Sequence, residues 1–495
     1  MNIEQNNQDD KTFSIYAVDP GPPKFRFMML EPALLGRIFH LGWPVILGML
    51  TQSAINTVDL LMVGRLDDSI AVPGTAAIMS SVVLLWAYGG FLSSISVGTQ
   101  ALSARRFSEG FPTKAGQILC NSLMLAIVAS AVMTVIAISL IDVTMPLLST
   151  SPEVRQIGGD YSRIRLLSLP SMALMASFKS FYDGLGRVRI HMSIAFFMNI
   201  VNIVINYFMI YGFNKGGINI PSFGVYGAAW GSVLSSYAGL VVMYFWSLRK
   251  DDRNRFKVFR WENLNKYVAF SITRLSFWSG LATVVLMVGV GLFNYIVSII
   301  DLNENSGFTN ASAASIIIHV MMLVFMTSLA FGTSTATLVS QSIGAKNYNL
   351  AERYTWQCVL LAVYAMTIFG IFTFLLPKPL LTLFLPPDIG SNHLKDMVIN
   401  TAIPSIKLSA ILLSPTAAAG LVLVQALYGA GETRFVMIVE FILHFFCLAP
   451  LAWFLAIHLE MGIIGCWIAA ITYASGLMMA AAFRFLQGKW KKLSL

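Results

Sequence analysis

Twelve stretches of this chain are apolar for long enough to cross a bilayer, and that constrains its fold more than any other feature. They are residues 38–64, 71–104, 115–140, 157–183, 190–212, 224–247, 270–300, 311–343, 352–376, 396–428, 434–457 and 462–486. A helix needs about 20 mainly apolar residues to cross roughly 30 Å of hydrocarbon. Within hydrocarbon every backbone N–H and C=O must find its partner inside the segment, so the spans are helices. Several are longer than the bilayer requires, which implies tilt or extension into water. Composition agrees: 56% of residues are hydrophobic and 12% charged, whereas a soluble domain carries about 25% charged residues to wet its surface. The expected fold class is an all-α polytopic membrane protein.

The loops divide by charge. On one side lie the N-terminal tail, 105–114, 184–189, 248–274, 344–353, 429–434 and the C-terminal tail, which together with Arg484 at the end of the last span hold 24 of the 33 Lys and Arg residues. The opposite loops hold Arg65, Arg155, Lys215, Lys378 and Lys395. This positive-inside bias places both termini in the cytosol. It also accounts for the net charge of +9 through topology and lipid headgroups, without a nucleic acid partner. The first residues lack the charged start, apolar run and small-residue cleavage site of a signal peptide, so 1–34 reads as a flexible cytosolic tail. A bacterial inner membrane and a monomer are expected. Cys120, Cys358, Cys447 and Cys466 sit in apolar segments without a CxxC pair, which argues against a disulfide framework or a zinc site.

The two halves resemble each other. Gly98-Thr99 with Gly110 corresponds to Gly332-Thr333 with Gly344, at an offset of 234 residues. Asp183-Gly184-Leu185-Gly186 before Arg189 corresponds to Tyr428-Gly429-Ala430-Gly431 before Arg434, at 245. Gly224-Val225-Tyr226-Gly227 corresponds to Gly462-Ile463-Ile464-Gly465, at 238. Ordered matches at a nearly constant offset mark an internal repeat. The expected organisation is a first lobe over 35–250, a cytosolic linker over 251–269, a second lobe over 270–488 and a tail over 489–495. Parallel six-helix halves are an established transporter architecture, with substrate held between them.

Ionisable and amide groups inside the spans mark candidate sites, because each is costly in hydrocarbon. Asp59 lies deep in the first span. Gln52, Asn56 and Asp59, spaced by four and three, share one helix face. Asn199, Asn202 and Asn206 form a similar stripe in the fifth span, and the two stripes could satisfy each other. Glu440 and His444 lie four apart in the eleventh span, at an offset of 238 from Asn202 and Asn206. Lys407 in the tenth span could pair with Glu440. This set reads either as a charge-neutral packing cluster or as a second coupling or recognition site. Glu and His alone are too few ligands to argue for a metal. His319 reads as a core histidine. Met and Phe are abundant and suit an adaptable cavity for organic cations. No GxxxxGK[ST] loop or GxSxG elbow is present, which argues against ATP drive and a serine hydrolase.

Through these motifs the chain resembles the multidrug and toxic compound extrusion (MATE) family over roughly residues 35 to 485. The resemblance is carried by Pro44-Val45-Ile46-Leu47, Gln52, Asn56, Asp59 and Val63-Gly64-Arg65-Leu66, then Ala71 to Ala77 and Gly98-Thr99-Gln100. Gly184-Leu185-Gly186-Arg187 and Gly429-Ala430-Gly431-Glu432-Thr433-Arg434 add to it. It implies two pseudo-symmetric six-helix lobes that export amphipathic, often cationic drugs or metabolites by alternating access, without a bound cofactor. The driving ion would be a proton, with Asp59 as its carrier, or sodium. Many members carry an aspartate where Asn206 stands, and sodium-coupled members use acids in the seventh and tenth spans. Here 272–300 holds no acid. The alternatives are a sodium-coupled exporter of the same fold and a flippase for lipid-linked precursors, which would need several cavity-facing basic residues. A membrane enzyme or receptor would need a catalytic cluster or a larger external domain.

Overall fold

The computed structural model describes residues 30–148, 152–215, 218–304, 309–385 and 392–493. The first helix, α1, runs Pro32–Val63, and α2 (Asp68–Ser93) meets α3 (Ile95–Ser108) at a bend on Ser94. There follow α4 (Pro112–Ser139), α5 (Ile141–Leu148), α6 (Pro152–Leu166), α7 (Leu169–Gly184) and α8 (Arg189–Tyr211). A short antiparallel ribbon, β1 (Phe213–Lys215) and β2 (Ile218–Ile220), pairs Phe213 with Ile220. It leads to α9 (Val225–Ser247) and the short α10 (Lys250–Phe256). The second half comprises α11 (Lys266–Glu304), α12 (Thr309–Gly344), α13 (Tyr348–Leu375), α14 (Pro377–Leu383), α15 (Asn392–Leu408) and α16 (Ser414–Ala430). It ends with α17 (Thr433–Leu443), α18 (Ala449–Trp453) and α19 (Gly462–Leu486). Wider π-helical turns at Ser409–Leu413, His444–Leu448 and Phe454–His458 are inserted into the tenth and eleventh spans.

Eleven helices among the described residues are long and apolar enough to cross a membrane. The fourth expected span, 157–183, is built from two shorter helices, α6 and α7, which abut at Leu167 and Ser168. Pro170, at the start of α7, explains the break: it has no N–H to donate and its ring clashes with the carbonyl four residues back. Pro415 stands at the same place in the second half, at the 245-residue offset of the Gly184–Gly429 pair. There the chain absorbs the proline with the π-helical turn at Ser409–Leu413 and continues into α16. The carbonyl of Ala410 in that turn presses toward Gly370 of α13, where an added Cβ would lie 2.1 Å from it. One sequence signal thus gives a broken helix in one half and a bulged helix in the other.

The chain forms two compact units. One comprises Pro44–Gly280. Within it α7 packs on α3 and α4, α2 on α6, and α8 on α9. The other comprises Leu281–Leu495 together with the chain up to Trp43, and within it α16 packs on α12, α13 and α19. Its core includes Phe293, Val297, Ile317, Ala402, Ile406, Ala452 and Trp467. The unit boundaries therefore fall inside α1 and inside α11. The basic loop after α9 is bound to the first of these units. Asp252 accepts from Arg187 (2.5 Å) and Tyr182 (3.2 Å), and Phe256 packs edge-on against Phe181. Asn121 donates to the carbonyl of Asn263 and accepts from the N–H of Asn265.

The repeated glycines do the same physical work in each half. A Cβ on Gly184 would lie 2.9 Å from the Gln100 carbonyl oxygen, and one on Gly429 would lie 2.5 Å from that of Ala336. Both contacts are to backbone, which cannot turn aside. Gly429→Ala is therefore expected to lose about 1–3 kcal/mol through overpacking, seen as a lower thermal midpoint of the purified protein. Gly36→Ala, whose Cβ would meet nothing within 4 Å, is the matched control and should leave the midpoint unchanged.

Candidate functional site

Asp59 sits near the end of α1 with 1% of its surface exposed. A carboxylate so enclosed needs donors, because each unmatched oxygen costs the full loss of hydration. Two neighbouring helices supply them. From α8, Asn206 Nδ2 donates to Oδ1 at 2.6 Å, and from α9, Ser232 Oγ donates to Oδ2 at 2.5 Å. Asn202 Nδ2 donates to the same Ser232 hydroxyl at 3.3 Å, and its own Oδ1 accepts from Asn206 Nδ2 at 3.3 Å. Asn202 and Asn206 are fully buried. Around them, Val63, Ile78, Tyr161, Ile210, Val225, Ala228 and Ala229 form an apolar shell. Gly231 makes room for the network: a Cβ there would lie 1.8 Å from Asn206 Oδ1. That oxygen is itself buried without a hydrogen-bond partner.

The two expected polar stripes therefore do meet, through Asp59, Asn202 and Asn206. Asn199 sits apart from the carboxylate and donates to the carbonyls of Thr51 (2.8 Å) and Ala195 (3.1 Å), tying α8 to α1. The side chains of Gln52 and Asn56 lie outside those described.

Three further residues belong to this site. Ser232 is one. The others are Arg165 and Tyr161, four residues apart on α6. Arg165 acts electrostatically on Asp59 without closing an ion pair, and donates to Ser168 Oγ (3.2 Å). Arg165 is 8% exposed and Tyr161 2%. The sequence shows no basic residue near Asp59; the cation arrives from another helix. The signals available beforehand were the Tyr161–Arg165 spacing, which places both on one helix face, and the small-residue run around Gly231 and Ser232.

In the other unit Glu440 and His444 come together as their spacing implies. His444 Nδ1 lies 2.8 Å from the Glu440 carbonyl oxygen and 3.3 Å from Oε2, which accepts from Tyr473 at 2.6 Å. The expected pairing of Lys407 with Glu440 does not form. Lys407 ends α15 just before a π-helical turn, and its ammonium lies 5.3 Å from the centre of the Phe374 ring on α13. His319, expected as a core histidine, is instead exposed, with Nδ1 2.8 Å from the Ser315 carbonyl of the preceding turn and its ring stacked on Phe384. Among the described residues no group of three or more His, Cys, Asp or Glu could hold a metal ion.

The MatE family model matches the chain twice, over residues 44–208 and 292–454. The chain belongs to the MatE family. The two matches fall one in each half, as the glycine repeat requires, and family members are transporters, not enzymes. The first match contains Asp59, Asn202 and Asn206, and the second contains Glu440 and His444. A relative from Thermotoga maritima, called a probable multidrug resistance protein NorM, is 26% identical over 418 residues, 83% of this chain and 84% of its own length. Another from Bacillus subtilis, the probable multidrug resistance protein YoeA, is 22% identical over 91% of this chain and 92% of its own. Among solved structures, a MOP superfamily transporter from Pyrococcus furiosus superposes with a TM-score of 0.80 at 19% identity, over 92% of this chain and 94% of that one. The eukaryotic MATE transporter AtDTX14 does so with a TM-score of 0.77 at 14% identity, over 93% and 97%. These likenesses establish the fold: a multi-pass membrane protein of MATE architecture, with two six-helix lobes.

The site makes an expectation of its own. Gly231→Ala should drive its Cβ into Asn206 and break the hydrogen bond to Asp59, lowering thermal stability. Ser232→Ala should cost about 1.5–3 kcal/mol, the range for a hydrogen bond to a charged group. Thermal unfolding of both variants checks this, with Ser236→Ala as the control on the same helix.

Proposed function

We propose that this MatE-family chain is a secondary antiporter that exports amphipathic, cationic organic compounds in exchange for protons, with Asp59 as the proton-carrying group. The observation that carries the reading is a sealed carboxylate whose two oxygens are each met by a neutral donor from a different helix. The names of the relatives, probable multidrug resistance proteins, support the cargo class.

The geometry favours a proton over sodium. Both carboxylate oxygens face N–H and O–H donors, which repel a metal cation. Sodium would require Asn206 to turn its amide and Ser232 its hydroxyl, and would need further oxygen ligands. A proton needs one oxygen. When it adds to Asp59 Oδ1, the carboxyl becomes a donor there and Asn206 Nδ2 can no longer serve it. Turning the amide presents Asn206 Oδ1, the buried acceptor without a partner, to the new O–H. The attraction between Asp59 and Arg165 is lost in the same step. The two protonation states therefore favour different arrangements of α1, α6 and α8, which is how an ion gradient biases a conformational equilibrium.

The flippase alternative has less support. Lys179 is neutralised by Asp183 at 2.6 Å and Arg165 is enclosed beside Asp59. Neither is presented as a ligand for a diphosphate. The positive-inside bias supports cytosolic termini.

In inside-out vesicles, an imposed pH gradient is expected to drive uptake of a cationic dye, and Asp59→Asn should abolish that response while leaving dye binding intact. Uptake driven by a sodium gradient at uniform pH, or an undiminished pH response in Asp59→Asn, would sink the proton reading.

A further inference from the structure

One buried ionisable group has no part in that cycle: Glu440, in the unit that lacks Asp59. It is 8% exposed, on α17. The groups facing it can be named helix by helix. From α19, the Tyr473 hydroxyl donates to Oε2 at 2.6 Å. From its own span, His444 stands one turn on, with Nδ1 2.8 Å from the Glu440 carbonyl and 3.3 Å from Oε2. From α16, Tyr428 feels the charge of Glu440. From α11 comes Gly289, where a Cβ would lie 2.0 Å from His444 Cδ2, so the imidazole fits only against a glycine. The imidazole ring packs on the Tyr473 ring with centroids 4.5 Å apart.

Among the described residues no arginine or lysine forms an ion pair with this carboxylate. The cations that could have done so are committed elsewhere: Lys407 lies over Phe374, and Arg484 holds Glu432 through two contacts of 2.9 Å. This is the difference from Asp59, which has Arg165 across from it. A buried carboxylate with neither a cation nor a full set of donors is costly in a membrane-embedded bundle. A single proton removes that cost. His444 Nδ1–H is used on the Glu440 carbonyl as a neutral imidazole would use it, which leaves the carboxyl to take the proton. The Glu440 side chain keeps 11% of its surface exposed while that of His444 keeps 1%, so the carboxyl is the more accessible of the two. The π-helical turn that starts at His444 adds an independent pointer, since such turns occur frequently at functional sites.

We propose that Glu440, positioned by Tyr473 and His444, is a second proton-binding site of this protein, housed wholly within the second unit. A proton from water adds to a Glu440 carboxylate oxygen, the local charge goes from −1 to 0, and the Tyr473 hydroxyl continues to donate to Oε2. The first unit brings its acid on α1 and places amides at positions 202 and 206. The second places its acid at the position equivalent to Asn202 and carries no acid over 272–300.

The test does not depend on transport, so it is separate from the role of Asp59. Infrared difference spectra of the reconstituted full-length protein, taken between alkaline and acid pH in H2O and D2O, report the C=O stretch of buried protonated carboxyls. We expect a titrating carboxyl band that Glu440→Gln removes and Asp59→Asn retains. Tyr473→Phe, which deletes only the donor, should shift that band without removing it, and Glu440→Asp should move it. If Glu440→Gln leaves the spectrum unchanged, the cluster is only packing and the proposal fails. If that variant does not fold, a band unmoved by both Tyr473→Phe and Glu440→Asp overturns it equally.

Discussion

In hydrocarbon a polar group that lacks a partner is costly, and the details of this protein follow from how its chain meets that demand. Backbone groups are satisfied by helix formation. Hydroxyls turn back onto the preceding turn, as Thr134 does to Ser130 and Thr355 to Ala351. Several charges are placed where an opposite charge or a row of donors awaits them: Asp183 with Lys179, and Asp301 capping the start of α12 through the N–H groups of Asn310 and Ala311. Asp59 is a carboxylate whose two oxygens are met by neutral donors from two other helices. Its removal would strand an amide, a hydroxyl and the nearby guanidinium together, which explains why α1, α6, α8 and α9 must be considered as one polar unit inside an apolar shell.

The repeat shows how far one sequence signal constrains local structure. Gly186 and Gly431 both adopt left-handed backbone (φ 79° and 91°) just past the ends of α7 and α16, a conformation costly for other residues. The equivalent prolines do not act alike. Pro170 separates α6 from α7, whereas Pro415 sits behind a π-helical turn in a continuous span. The glycines dictate geometry because the requirement is local. The prolines only forbid a hydrogen bond, and neighbours such as Gly370 decide how the backbone reroutes.

The same distinction explains what could be read from the sequence. Span positions and polar stripes depend on hydropathy and helical spacing, so the count of spans and the meeting of Asp59 with Asn202 and Asn206 were legible. The break at Leu167 was hidden because the apolar run continues through it. Arg165 was hidden because its proximity to Asp59 depends on packing between α6 and α1. Lys407 looked like a partner for Glu440 when only burial and charge were weighed. The π-helical turns change the facing of side chains along a span in a way that 3.6-residue spacing does not anticipate, and Lys407 goes to Phe374 instead. The loop over 248–274 was readable as basic, but not as a segment pinned by Asp252, Asn121 and Phe256 to α4 and α7.

The placement of Asp59 gains meaning from where α1 divides. Residues up to Trp43 belong to one compact unit and Pro44 onward to the other, without interruption of the helix. Pro44 cannot donate to the carbonyl of His40, so the helix is held by fewer hydrogen bonds at this boundary than elsewhere along its length. On the far side of that weak point the helix is fastened by Asn199 at Thr51 and by Asn206 and Ser232 at Asp59. Before it, Glu31 and Arg37 are fastened to Arg353 and Gln341. A helix fastened on both sides of a proline has its weakest hydrogen bonding at that proline. The proton proposed for Asp59 would act on the one segment of the first half that belongs to both units. Moved to a helix confined to a single unit, the same carboxylate would rearrange only its own neighbours.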